Sequence, residues 1–215
     1  MCIRDSLLLA VVAAGQDVSG LRQASGAAFS GYGEDAKAEK AWEIRAATVR
    51  PEPGVEGAWR LGDLLLTVFR DGKAFRTLRT SSGIARPELK SAEGTEALVL
   101  EGEGFRLQGV GWDWSGGDQG EVFVLRSLVQ GTIGDSQSPG GVAKVRAARI
   151  QAASHESATF LTFDGGVEMV RGEERLEAPK LVLNVSRKGE LLAWIAVGGV
   201  RQVSPGRIAR ADEVR

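Results

Sequence analysis

Ser154, His155, Glu156 and Ser157 place hydroxyls, the only imidazole of the chain and a carboxylate at consecutive positions. A nucleophilic triad draws its members from separate parts of a fold, so immediate neighbours cannot converge on one substrate. The segment reads as a solvated turn. Asp113, Asp118 and Glu121 are oxygen donors of the kind calcium takes, but they lack the alternating spacing of a calcium loop and read as a polar hairpin. Glu101 and Glu103 put two carboxylates on one face of a strand, whereas glycosidase carboxylates flank a bond from opposite walls of a cleft. Cys2 is the only cysteine, which excludes an internal disulfide and a cysteine-based zinc site. No Gly-x-x-x-x-Gly-Lys-Ser/Thr loop is present to cradle phosphates. These residues give no catalytic constellation, no metal site and no cofactor site. The expectation is a protein that binds and is not an enzyme.

The bulk properties agree. In 215 residues, 27 Lys+Arg oppose 28 Asp+Glu for a formal net charge of −1, which leaves no electrostatic footprint for nucleic acid. A hydrophobic share of 43% with 26% charged residues suits a chain that buries a core. The 29 glycines are about twice the usual share, without the Gly-X-Y period of collagen.

The first six residues, Met1 to Ser6, resemble a translated sequencing-adapter scar. Leu7 to Ala14 is too short an apolar run to span a bilayer, which takes about 20 residues. It fits the apolar core of a secretory signal, with Val12-x-Ala14 as the cleavage site, so residues 7–15 read as a signal-peptide remnant or a truncated anchor. The competing reading is a buried N-terminal strand or helix. Residues 16–40, rich in Gly, Ala and Ser before turning mixed-charge, read as a flexible linker.

From Ala41 onward, apolar and polar residues alternate and turn signals recur. Arg70-Asp71-Gly72-Lys73, Ser115 to Asp118, Asp164-Gly165-Gly166, Arg171 to Glu174, Ser186 to Gly189 and Ser204-Pro205-Gly206 read as turns. No window carries a helical period over three turns. The chain is expected to be all-β, with an N-terminal part at 41–134 and a C-terminal part at 142–215 that is truncated at its end, divided at the loop Gly134 to Gly141.

An internal repeat organises the second part. Gly165-Gly166-Val167 recurs as Gly198-Gly199-Val200, and Ala178 recurs as Ala211 at the same interval. Ala147-Ala148-Arg149-Ile150 is an earlier echo of the Ala-x-x-aliphatic strand. One such unit cannot bury its apolar face alone, so neighbours must stack in a folded-over sheet with a shared core. Strand parity aims Val167 with Met169, Leu181 with Leu183 and Val185, and Trp194 with Ala196 and Val200 at that core. The five tryptophans, with Phe105, Phe160 and Phe163, either fill the core or line a groove, because both are the same face of one sheet.

The stretch Ala158 to Val185, continued by Gly189 to Val200 and Ala209 to Val214, is similar to the OstA-like family of lipopolysaccharide-transport proteins. Leu176, Ala178 and Leu181 match the middle strand of the family repeat, and Ala196, Gly198 and Val200 match its last strand. Leu107-x-Gly109-x-Gly111-Trp112 resembles a step in the membrane-anchored component of the same pathway, while Trp112-Asp113-Trp114 departs from its pattern. The resemblance implies a twisted, half-open β-jellyroll in the periplasm, either free or anchored in the inner membrane, whose apolar groove takes the acyl chains of lipopolysaccharide or a related lipid. Phe105, Leu107, Trp112, Phe160, Val167, Met169, Leu181, Leu183, Trp194, Ala196 and Val200 are then the groove-facing candidates. Other β-jellyroll transport components would be partners through edge-strand pairing. The rival readings are a ligand-free structural β-solenoid or adhesion module of the cell envelope, and a fragment of a β-helix polysaccharide lyase or hydrolase, against which the lack of convergent carboxylates argues.

Overall fold

The computed structural model describes residues 8–11, 24–32, 39–117, 120–134, 141–154, 158–186 and 190–214. The chain is all-β. Its strands are β1 (Leu8–Val11), β2 (Ala24–Tyr32), β3 (Lys40–Pro51), β4 (Trp59–Arg70), β5 (Lys73–Arg86), β6 (Ser91–Gly102), β7 (Phe105–Gly117), β8 (Gly120–Ile133), β9 (Ala143–Ala147), β10 (Arg149–Ser154), β11 (Ala158–Arg171), β12 (Glu174–Ser186), β13 (Leu191–Ser204) and β14 (Arg207–Val214). One 3-10 turn, Pro87–Leu89, interrupts them. Among the described residues, no helix is long and apolar enough to cross a membrane.

Every strand pairs antiparallel with its sequence neighbours in a single sheet, with β9 and β10 sharing one place between β8 and β11. Strands of the two parts expected at 41–134 and 142–215 therefore share one sheet. Residues 24–32, within the segment read as a linker, form β2, whose Ala27 and Phe29 are buried against the core. Leu8–Val11, within the segment read as a signal remnant, pairs with β2.

Tight hairpins follow the local turn chemistry. Arg70 pairs with Lys73 around Asp71 and Gly72, both at positive φ (51° and 70°), the backbone that matches strand twist. Ser204 pairs with Arg207 around Pro205-Gly206.

Asp164-Gly165-Gly166 is different. The sequence reads it as a turn, yet it lies inside β11, where the ladder to β12 loses register between Asp164 and Val167. Gly165 and Gly166 take φ of 84° and 80°, which only glycine adopts without strain, so the strand bends sharply and continues. Adjacent strands bend at adjacent places. Register shifts fall between Glu177 and Lys180 in β12 and between Val197 and Val200 in β13. Ala148 breaks β9 from β10, Leu128 bends β8, Gly111 bends β7, and Asp63 bends β4. A continuous crease therefore crosses the sheet from β2 to β14 and divides it into two leaves. The internal repeat is this crease written in sequence: Val167 pairs with Ala178, and Val200 with Ala211, where successive strands fold over.

Contacts between the leaves prove the fold-over. Arg76 of β5 and Thr159 of β11 are five strand positions apart, about 24 Å in a flat sheet with spacings of about 4.8 Å. The Arg76 Nη2 donates to Thr159 Oγ1 at 2.5 Å. The inner faces of both leaves supply one continuous apolar core, in which each fully buried Leu or Phe contributes about 1.5–3 kcal/mol.

Candidate functional site

The candidate site is the interior between the leaves, built by strand parity. On β7, Phe105 and Leu107 enter it before the crease and Trp112 after it, because the bend around Gly109 to Gly111 resets the alternation. The Trp112 indole is fully buried on a floor that only glycine permits. A Cβ at Gly94 would stand 2.5 Å from its Nε1, and one at Gly83 2.7 Å from its Cζ2.

On the last strands, Leu183 pairs with both Leu161 and Trp194, and Leu181 with Phe163 and Ala196. Leu181, Leu183 and Ala196 are fully buried, Val167 and Val200 nearly so, and Met169 and Trp194 are half-buried against the same core. Ten of the eleven candidates thus face the interior. Phe160 does not. Its neighbours Thr159 and Leu161 are buried while Phe160 is 38% exposed, on the outer face opposite Asn184 and Ala153. Its odd-numbered neighbours Leu161 and Phe163 hold the inward parity, which places an even-numbered residue outside.

The interior is not uniform along the sheet. Its N-terminal end is closed by aromatic pairs that span the leaves: Phe29 with Trp59, ring centroids 6.1 Å apart, and Trp42 with Trp114, 5.7 Å apart and edge-on. Four of the five tryptophans are in this half, as packing. Ala209, Ala211 and Val214 of β14, which continue the inner ladders of β13, are half or fully exposed. Outside the interior, an open groove of about 830 Å³ runs along the crease, where the outward-facing Glu168, Arg175, Glu177, Arg201 and Arg210 stand over the bend at Val167, Ala178 and Val200. Arg201 and Arg175 pair with Glu177 at 3.0 and 2.7 Å, and the Arg201 guanidinium first holds the Glu177 carboxyl below its ordinary range.

Midway, at the mouth opposite the crease, is a polar cluster that sequence reasoning missed. Arg76, on the inward parity of β5 with Leu78, is fully buried and reaches across to the other leaf. Its Nη1 is 3.0 Å from Glu121 Oε1 on β8, and Thr159, which it also binds, lies 3.4 Å from Ser154. Burial lowers the Arg76 pKa to about 10, against the pull of Glu121. Burial likewise raises Glu121, although the Arg76 and Arg70 charges oppose it. Phe75 stacks under both Arg70 and Arg76, and a second open groove, of about 630 Å³, lies on the solvent side of Arg76.

The residues weighed for chemistry are dispersed. Glu121 belongs to this cluster, Asp113 is bound by Arg126 on the surface, and Asp118 and His155 to Ser157 lie outside the described residues. Glu101 pairs with Arg106 at 2.6 Å. Among the described residues, no three His, Cys, Asp or Glu side chains group as metal ligands.

The chain matches no protein-family model, no curated protein and no solved structure.

Proposed function

We propose that this protein is a periplasmic lipid carrier that holds the acyl chains of lipopolysaccharide, or a related lipid, without covalent chemistry. The observation that carries this reading is the creased sheet, whose apolar inner faces run together through both leaves. Each methylene taken from water onto such a face contributes about 0.8 kcal/mol, so a few acyl chains bind tightly with no catalytic group. The resemblance of residues 158–214 to the OstA-like repeat supports the same reading. A second β-jellyroll component would dock by pairing its strand to an edge of this sheet.

A ligand-free scaffold of the cell envelope is the competing reading. The full burial of Leu107, Trp112, Leu181 and Leu183 favours it, since these side chains already pack one another. Titrating the full chain with a dansyl-labelled fatty acid separates the two. A carrier gives saturable fluorescence that lipopolysaccharide displaces, and a scaffold gives none.

A further inference from the structure

The cluster at the mouth stands where an uninterrupted apolar seam would hold the leaves together better. Arg76, Glu121 and Thr159 come from β5, β8 and β11, and all three occupy inward parities otherwise filled by Leu and Phe. Burying two opposite charges costs desolvation that largely cancels their attraction, so such a pair adds specificity of register more than net stability. The same balance makes it easy to part. When the leaves separate at the mouth, both charges regain water, whereas a Leu–Leu seam would lose its burial outright. The crease lies at the opposite side of the leaves and can act as the hinge. On the solvent side, an open groove of about 630 Å³ on the β5 leaf has Phe75 and Arg76 in its wall.

We propose that Arg76, Glu121 and Thr159 form a clasp that opens reversibly, parting the two leaves at the mouth and admitting a single hydrocarbon chain sideways into the interior. The admission step rests on the lipid-carrier reading; the opening step does not. Arg76 and Glu121 hold the leaves in one register when closed, and Thr159, supported by Ser154, fixes the guanidinium. Phe75 stacks against the Arg76 guanidinium, 4.7 Å from its ring centroid.

Two variants of the full chain test the clasp by amide hydrogen exchange and by the uptake rate of the dansyl-labelled fatty acid. The double variant Arg76→Met with Glu121→Leu replaces the ionic pair by an apolar seam. Exchange at residues 74–79 and 120–124 is expected to slow at least tenfold relative to the amides of β3 and β4, and probe uptake to slow at least tenfold. Thr159→Val keeps the ion pair but removes one bond to it, and is expected to speed exchange at the same amides and probe uptake several-fold. Should the double variant fail to fold, Thr159→Val decides. Unchanged local exchange, or changes spread evenly over all strands, overturns the clasp. Changed exchange at the mouth with no probe uptake in any form keeps the clasp and overturns the lipid carrier. Saturable uptake at one rate in all three proteins keeps the carrier and overturns the clasp.

Discussion

Trp42 and Trp114 meet edge-on, with ring centroids 5.7 Å apart and planes at 67°, although they belong to strands β3 and β7 and to opposite leaves. This contact holds the fold-over at the N-terminal end of the interior. Trp42→Ala is expected to cost about 3–5 kcal/mol of unfolding free energy, measured by urea denaturation. In a double-mutant cycle with Trp114→Ala, a coupling of about 0.5–1.5 kcal/mol belongs to the ring pair itself. Zero coupling would mean that the leaves are held elsewhere.

Gly94 supplies the space beneath Trp112. A methyl there meets the indole at 2.5 Å and the Ser82 carbonyl oxygen at 3.0 Å, so neither side chain nor backbone yields easily. Gly94→Ala is expected to destabilise by about 1–3 kcal/mol in spite of the β-friendlier residue. Thermal unfolding with the tryptophan signal as readout checks it.

Leu128 has the opposite problem. It sits on the crease at φ 52° with its side chain 74% exposed, so it carries left-handed strain without burying anything. Leu128→Gly removes roughly 1–2 kcal/mol of strain and loses part of that to unfolded-state entropy. A net gain of about 0.5–1 kcal/mol is expected in chemical denaturation.

Glu121 sets a pH signature. The charged groups facing it are Arg76 and Arg70, yet burial lifts its pKa above the ordinary 4.5. Between 4.5 and the raised folded value, the folded state binds a proton that the unfolded chain lacks, so this contribution to stability falls as pH rises through that window. Glu121→Gln removes the dependence. The stability difference, wild type minus variant, is expected to be largest near pH 4.5 and to shrink toward neutrality. Glu177, held down by Arg201 and Arg175, acts in the other direction, losing its contribution as pH falls below 4.5.

Local chemistry made much of the fold legible in the sequence. Asp71-Gly72 and Pro205-Gly206 announce their hairpins, because their backbone demands are met within the turn. Period-2 alternation aims Leu181, Leu183, Trp194 and Val200 inward because parity is set strand by strand. The crease was hidden by the same logic. Gly165-Gly166 has the composition of a turn, and only the ladders to Lys180 and Ala178 show the strand carrying on past it. The β2 segment escaped because its inner face is little more than Ala27 and Phe29, too weak a pattern without β3 to pair with.

The candidate site was legible to the same depth. Parity alone separates Phe160 from Phe163 and puts it on the outer face. Parity also flags Arg76, Glu121 and Thr159 as polar residues on inward positions, but their convergence needs the fold-over that brings β5 to β11.

The most direct test of the carrier is where a lipid touches the chain. A photoreactive benzoylphenylalanine placed in turn at Met169, Val200, Phe160 and Ile195 of the full chain is irradiated with lipopolysaccharide. The inner positions Met169 and Val200 are expected to form lipid adducts, and the outward, exposed Phe160 and Ile195 to form none. Adducts at the outer positions alone, or at no position, would contradict a lipid-holding interior.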